Sequence, residues 1–217
     1  MSDVTAAALA APRPEEDPDA DVALMLALQR GEDAALNGLM QRWRGPLLAF
    51  FLRSTGREEE AADLAQETFV RVYTSRARYQ RSGKFSTWLF TIAANLARNF
   101  ARWRSRHPTV DLAGASEDGE SVENALDRLS QRPPAGAPQT APEHPSQVLE
   151  AEERAEAVRA AIQALPEDMR EALILFTYHD LSYREIAKIQ STGEKTVENR
   201  LYRARILLKE RLQALME

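Results

Sequence analysis

Ser182-Tyr183-Arg184-Glu185-Ile186-Ala187-Lys188-Ile189-Gln190-Ser191-Thr192-Gly193-Glu194-Lys195-Thr196-Val197-Glu198-Asn199-Arg200-Leu201 contains a helix start, a helix stop and a second helix start in close succession. Ser182 followed three positions later by Glu185 reads as a capping box, in which serine and glutamate each satisfy a backbone N–H of the other. Ile186, Ala187 and Ile189 then supply an inward face. Ser191-Thr192-Gly193 interrupts the helix, and Glu194 opens another. A short helix, a tight turn and a longer helix make up the layout of a helix-turn-helix DNA reader. On the second helix Val197, Leu201, Ala204 and Leu208 fall at steps of four, three and four, which is a buried stripe. At about 100° per residue, Lys195, Asn199, Tyr202, Arg203 and Ile206 cluster on the opposite side. Arg and Asn are the side chains shaped for bidentate contacts to guanine and adenine edges, whereas Lys and Tyr suit phosphates. Arg200, Arg205, Lys209 and Arg211 flank that face. Glu194 and Glu198 among the bases leave open a solvated, salt-bridged hairpin.

A second basic surface lies upstream. Thr68–Val110 holds nine basic side chains (Arg71, Arg76, Arg78, Arg81, Lys84, Arg98, Arg102, Arg104, Arg106) and no acidic one, in a chain whose formal net charge is −5. Such segregation builds a local positive field inside a negative molecule, as a surface facing a phosphate backbone requires. Tyr73, Tyr79, Phe85, Trp88, Phe90, Phe100 and Trp103 interleave these charges. Aromatic faces beside cations suit unpaired strands, because bases stack while phosphates are neutralised. The competing reading is a basic amphipathic helix whose aromatics are all core.

Around these two surfaces the chain is helical. Leu24, Leu28, Leu36, Leu39, Met40, Leu47, Leu48, Phe51 and Leu52 recur at three- and four-residue steps. Gly45-Pro46 is expected to kink or restart that segment, since proline lacks a donor and clashes with the preceding turn. Thr55-Gly56 marks a break before a helix near Glu58–Arg78, and Gln80-Arg81-Ser82-Gly83 punctuates before another over Phe85–Arg106. Pro166 sits where a new helix starts. The second group is expected as helices over Ser146–Leu165, Glu167–Tyr178, Ser182–Gln190 and Glu194–Leu215. Strand-like alternation and solenoid repeats are absent. The expected fold is all-α, two small helical domains, an N-terminal bundle and a C-terminal helix-turn-helix, joined by a flexible linker.

Composition sets the boundaries. Residues 1–20, rich in Ala, Pro and acids, read as a disordered tail, residues 21–106 as the first domain and residues 146–217 as the second. Residues 107–145 read as a linker: His107–Gln147 carries six of the eleven prolines, and Asp111–Glu156 has eleven acids against three bases. A short helix around Val122–Leu129 fits within it. The first 21 residues, with six acids and one Arg, lack the positive leader of an export signal. No window approaches 18 apolar residues, so no membrane insertion is expected. Absent cysteine removes disulfides, thiol catalysis and cysteine-ligated zinc, and fits a reducing cytoplasm. The scattered His107, His144 and His179 offer no metal site. Without a Gly-rich phosphate loop or a G-x-S-x-G elbow, neither enzyme nor cofactor is expected.

Three stretches in order resemble one family. Asp63-Leu64-Ala65-Gln66-Glu67-Thr68-Phe69-Val70-Arg71-Val72-Tyr73 resembles the D-L-x-Q-E-x-F helix of bacterial RNA polymerase sigma factors. Phe85-Ser86-Thr87-Trp88-Leu89-Phe90-Thr91-Ile92-Ala93-Ala94-Asn95 resembles their F-x-T-W-L-x-x-I-A-x-N segment. Ala164-Leu165-Pro166-Glu167, Leu181–Ala187 and Thr196–Arg205 resemble their C-terminal domain. Order, spacing and size are similar to the extracytoplasmic-function (ECF) group of the sigma-70 family, over residues 21–106 and 146–215.

The resemblance implies roles. Asp63, Gln66, Glu67, Phe69, Val70 and Tyr73 would dock on the largest-subunit clamp of core RNA polymerase, while Leu64, Val72 and part of Phe69 pack in the core. Tyr79, Arg81, Lys84, Asn95, Arg98, Asn99, Arg102, Trp103, Arg104 and Arg106 would bind the melted -10 element, with a base flipped into the Tyr79–Lys84 loop beside Asn95. Trp88, Leu89, Ile92, Leu96 and Phe100 are read as core. Lys195, Thr196, Glu198, Asn199, Arg200, Tyr202, Arg203 and Arg205 would read the -35 element as duplex. Implied partners are promoter DNA, the clamp, the flap of the second-largest subunit and an anti-sigma factor. Three departures stand out: Gln80-Arg81 where Arg-Gly is common, Gln190-Ser191-Thr192 in place of an apolar-Gly-apolar turn, and Glu198 where a base is common. The rivals are a stand-alone helix-turn-helix regulator and a nucleic-acid enzyme using Asp/Glu-bound metal.

Overall fold

The computed structural model describes residues 18–81, 83–107 and 145–216. Residues 1–17, residues 108–144 and the helix expected at Val122–Leu129 lie outside the described residues, whereas residues 18–20, expected in the disordered tail, are helical. Within them the elements are α1 (Pro18–Gln29), α2 (Ala34–Thr55), α3 (Glu58–Ser75), a 3-10 turn (Arg76–Arg78), α4 (Phe85–Arg106), α5 (Pro145–Gln163), α6 (Glu167–His179), α7 (Tyr183–Ile189) and α8 (Glu194–Met216). The described residues contain no strand, and the all-α expectation holds.

The N-terminal bundle is α1–α4 around one aromatic core. Gly31, with φ +91, turns the chain between α1 and α2, a conformation that costs an L side chain about 1–2 kcal/mol. The leucine periodicity ran straight through this turn and did not signal it. At Gly45-Pro46 the chain does not restart: α2 continues through Pro46. One missing donor costs about 3 kcal/mol in a helix interior. Leu39, Trp43, Leu47, Phe50 and Phe51 on the same helix are all buried, and that burial outweighs it. Phe50 and Phe90 meet edge to face at 5.5 Å, and Trp43 meets Phe85 at 5.9 Å, the geometry that ring quadrupoles favour. Asp21 is buried but held by Arg42 at 2.6 Å.

The C-terminal group is α5–α8. The Ser182–Glu185 capping box forms as read: Glu185 Oε2 accepts from Ser182 N–H at 2.8 Å, and Ser182 Oγ accepts from Glu185 N–H at 3.3 Å. The turn after α7 closes through Thr192 N–H to Ala187 O at 2.9 Å, with Ser191 in the left-handed region at φ 51. Serine therefore occupies a backbone position that glycine would take without strain. Val197, Leu201 and Ala204 are fully buried beneath α8, with Leu208 partly so.

The two groups do not stand apart. α6 buries Glu171 through Leu175 consecutively, which a helix does only when covered on all sides. One face of α6 packs on α8. Its other face meets α2, and α4 packs on α7. His179 lies between the rings of Phe50 (5.9 Å) and Phe90 (4.3 Å), and Arg53 sits 4.0 Å over the Tyr178 ring. Gln163 Nε2 donates to Arg53 O at 2.6 Å and Arg170 Nη1 to Ser54 O at 3.1 Å. A single hydrophobic core thus runs through both groups.

Candidate nucleic-acid interface

Three faces carry the residues expected to act. On α3, Asp63, Gln66 and Val70 are exposed, and Glu67 is half-exposed beside them. Steps of three and four put all four on one narrow stripe. Val70, 54% exposed among carboxylate and amide groups, is an apolar centre with a polar rim, the composition of a protein-docking spot. Glu67 pairs with Arg71 at 2.8 Å on the same surface. Tyr73 lies at the edge of the stripe with the Arg76 guanidinium 4.1 Å over its ring. Phe69 does not join them: it is buried, because its position faces the core with Ala65 and Val72. Its expected contact with a partner is withdrawn.

The second face is α4 with the loop before it. Phe85, Leu89, Phe90, Ala93, Ala94 and Leu96 form the buried side, which leaves Asn95, Asn99, Arg102, Trp103 and Arg106 exposed. Trp103 stacks on Phe100 (6.3 Å, 28°) and on His107 (5.1 Å, 23°). The result is a column of three rings along the C-terminal half of the helix, beside Arg102 and Arg106. Phe100, read as core, is partly exposed at the base of this column. His107 was missed; only its spacing of four from Trp103 signals it. Asn99 Oδ1 accepts from Arg102, and Asn95 Oδ1 accepts from Arg98. Trp88 and Ile92 pack against the core, as read.

Tyr79 is a second correction. It is buried, its ring against Trp88 at 5.2 Å and Phe85 at 6.1 Å, and burial raises its phenol pKa. Tyr79 anchors the loop, and Arg81 and Lys84 are what the loop exposes. Gln29 Nε2 fixes the same corner by donating to Arg76 O at 2.7 Å and Tyr79 O at 3.0 Å.

The third face is the outer side of α8. Lys195, Thr196, Glu198, Asn199, Tyr202, Arg203 and Arg205 are all exposed, Tyr202 by 65%. Glu198, the carboxylate in an unusual place, pairs with Lys195 at 2.7 Å. Arg200 departs from its expected role. Its guanidinium bonds Asp168 at 2.9 Å and Gln190 Oε1 at 2.7 Å, tying α8 to α6 and to the end of α7. That is a structural clamp, not an exposed cation.

Arg98 is also not free. Its Nη1 reaches both oxygens of Glu171, at 3.0 and 3.2 Å, and its Nη2 lies 3.4 Å from Ile189 O. Burial pushes the Glu171 carboxyl up to about 7, although Arg98 and a hydrogen bond from Gln190 pull it down. Burial likewise drives the His179 imidazole down to about 3, with Arg53 acting in the same sense. Neither residue was singled out from the sequence. The run Ala172-Leu173-Ile174-Leu175-Phe176 was the available signal, since five consecutive apolar residues fit no one-sided helix. No group of His, Asp and Glu that would hold a metal ion exists among the described residues, and no described helix is long and apolar enough to cross a membrane.

Comparison with known proteins finds similarity in two stretches of the chain. Residues 39–107 match sigma-70 region 2 and residues 155–208 match sigma-70 region 4. The RNA polymerase sigma-H factor of Pseudomonas aeruginosa is 32% identical, over 90% of this chain and 95% of its own length. The ECF RNA polymerase sigma-E factor of Haemophilus influenzae is 30% identical, over 90% and 97%. Among solved structures, CnrH in complex with the cytosolic domain of CnrY shares the fold at a TM-score of 0.60 and 24% identity, covering 90% of this chain and 98% of that one. The sigma factor RpoE in complex with the anti-sigma factor NepR from Bartonella quintana shares it at 0.54 and 24%, covering 77% and 90%. With two region matches in order and full-length relatives at this identity, the chain belongs to the ECF group of sigma-70 family RNA polymerase sigma factors.

Proposed function

We propose that the three faces divide the work of a promoter-specificity subunit. The α3 stripe of Asp63, Gln66, Glu67 and Val70, with Tyr73 at its edge, docks on the clamp of the largest polymerase subunit. The outer face of α8 reads the -35 element as duplex, with Asn199 and Arg203 at base edges and Lys195, Tyr202 and Arg205 toward phosphates. The C-terminal group meets the flap of the second-largest subunit. α4 and its preceding loop hold the melted -10 strand.

The observation that carries this reading is the ring column Phe100–Trp103–His107 beside Arg102 and Arg106, with Asn95 exposed on the same helix. Flipping a base costs a few kcal/mol. Stacking at about 1–3 kcal/mol per base, with hydrogen bonds from the asparagines, offsets it. No bond is made or broken in this work, so the protein acts by binding and not as an enzyme. Two modest DNA faces gain affinity by effective concentration once polymerase fixes their separation, so the free chain should bind promoters weakly. An anti-sigma partner and a cytoplasmic location follow from the same reading.

Transcription with purified core polymerase on a promoter library, scored for open complexes, tests it. Selective opening of a promoter subset supports the assignment; failure of the chain to associate with core at all overturns it. A stand-alone operator-binding regulator would leave the α3 stripe and α4 without a task, and a palindromic footprint formed without polymerase is the result that would favour it.

A further inference from the structure

From Lys195 to Lys209, α8 carries five bases (Lys195, Arg200, Arg203, Arg205 and Lys209) and a single acid, Glu198. Glu198 is exposed, while Val197 and Leu201 are buried on the inner side of the same turns. Arg200, two positions further on, bonds Asp168 and Gln190 and ties these turns to α6 and to the end of α7. The side chain of Glu198 therefore leaves a fixed backbone. It stands on the fifth residue of α8, and the first turns of the second helix are the part of a helix-turn-helix that meets base edges.

Neither stability nor phosphate contact accounts for a carboxylate in that place. Its ion pair with Lys195, at 2.7 Å, joins side chains 50% and 78% exposed, and a pair so open to water contributes little to a fold. Turned to a phosphate, the carboxylate would be repelled. What it can gain in the major groove is a donor, and the bases offer two there, the N4 amino group of cytosine and the N6 amino group of adenine. Their surroundings differ. Adenine N6 stands between two acceptors, its own N7 and the O4 of the paired thymine, and both repel a carboxylate. Cytosine N4 has an acceptor on one side alone, the O6 of the paired guanine. A carboxylate therefore favours the C·G pair. Lys195 complements it: one donor of its ammonium goes to Glu198 Oε2, which fixes the direction of the carboxylate, and two donors remain for phosphate oxygens.

We propose that Glu198 is a specificity-determining residue that accepts a hydrogen bond from a cytosine N4 within the -35 element, with Lys195 as its positioning residue. The inference rests on the outer face of α8 reading the -35 element, and the experiment has a separate outcome for each.

A promoter opened by the chain with core polymerase is randomised over its upstream element alone, and the DNA bound by the holoenzyme is sequenced. The wild type should enrich C over A at one position by about 5- to 150-fold. Glu198→Gln should move that position to A, because a glutamine amide pairs with adenine N6 and N7 together. Glu198→Ala should leave the position without preference and the others unchanged. Lys195→Ala should lower the preference at the same position and also weaken binding to every sequence, since a phosphate contact goes with it. On a synthetic promoter, converting that C·G pair to A·T should cost the wild type the same factor and Glu198→Ala nothing. A Glu198→Ala profile identical to that of the wild type, with uniformly tighter binding, would mean that the carboxylate merely repels phosphates, and it overturns the proposal. A profile that Arg203→Ala alters and Glu198→Ala does not overturns the proposal and leaves the -35 reading standing. A wild-type profile with no upstream preference overturns both.

Discussion

Glu171 and His179, both on α6, face the N-terminal bundle with opposite proton preferences, and their titrations should nearly cancel. Burial raises Glu171 from 4.5 to about 7, so the folded chain holds a proton there that the unfolded chain has released. Its contribution favours folding below pH 4.5 and is lost as pH rises through about 7. Burial lowers His179 from 6.5 to about 3, so the unfolded chain takes a proton that the folded chain refuses. Its contribution favours folding above pH 6.5 and is lost as pH falls toward 3. Between pH 4.5 and 6.5 the two slopes oppose, each worth about 1.4 kcal/mol per pH unit. Glu171→Gln removes one slope while keeping shape, though Arg98 is then left with Asn95 and the Ile189 carbonyl; Glu167 and Arg200 are the other charges nearby. Relative to wild type, this variant should gain about 3 kcal/mol of stability between pH 4.5 and 6.5. His179→Asn should lose about the same over that range. Urea denaturation followed by circular dichroism at half-unit pH steps measures both, and the remaining carboxylates are common to all three proteins. A wild-type-to-Glu171→Gln difference that is the same at pH 4.5 and pH 7 would refute the assignment of that proton to a buried carboxyl.

Asn95→Ala should impair promoter melting more than core binding, while Gln66→Ala with Glu67→Ala should do the reverse; permanganate footprinting and a core pull-down separate them, and parallel loss of both activities in each variant contradicts the roles. Arg203→Ala should cost about 1–3 kcal/mol at one base pair of the upstream element, read as a relaxed preference there in a binding selection. Arg200→Ala should instead lower the melting temperature through loss of its Asp168 and Gln190 contacts with base preference retained, and an altered preference at normal stability would return it to the DNA face. Phe90→Ala empties a fully buried site against Trp43, Phe50 and His179 and should cost about 3–5 kcal/mol in denaturant unfolding. A cost below about 1 kcal/mol would mean that this core is not packed as described.

The helices and most of their faces were determined by local rules. The capping box at Ser182 and Glu185 formed because both partners lie within one turn of each other. The stripe Val197–Leu201–Ala204 buried itself because helical period alone places those side chains together. The α3 stripe and the outer face of α8 followed from the same geometry. Residues whose fate depended on distant partners were not legible. Tyr79 and Phe69 carry the same side chains whether they face a base, a partner or a core, and only packing by Phe85, Trp88 and the neighbouring helices put them inside. Pro46 stayed within a helix because tertiary burial exceeded a local cost. Arg200 became a clamp because Asp168, thirty-two positions away, lies beside it in space. Periodicity and capping act over a few residues, so sequence fixes each helix and its apolar side. Which cations meet carboxylates, and which face of α4 the second group covers, is set by contacts such as Arg98 with Glu171, seventy-three positions apart. Such contacts exist only once the chain has folded back on itself.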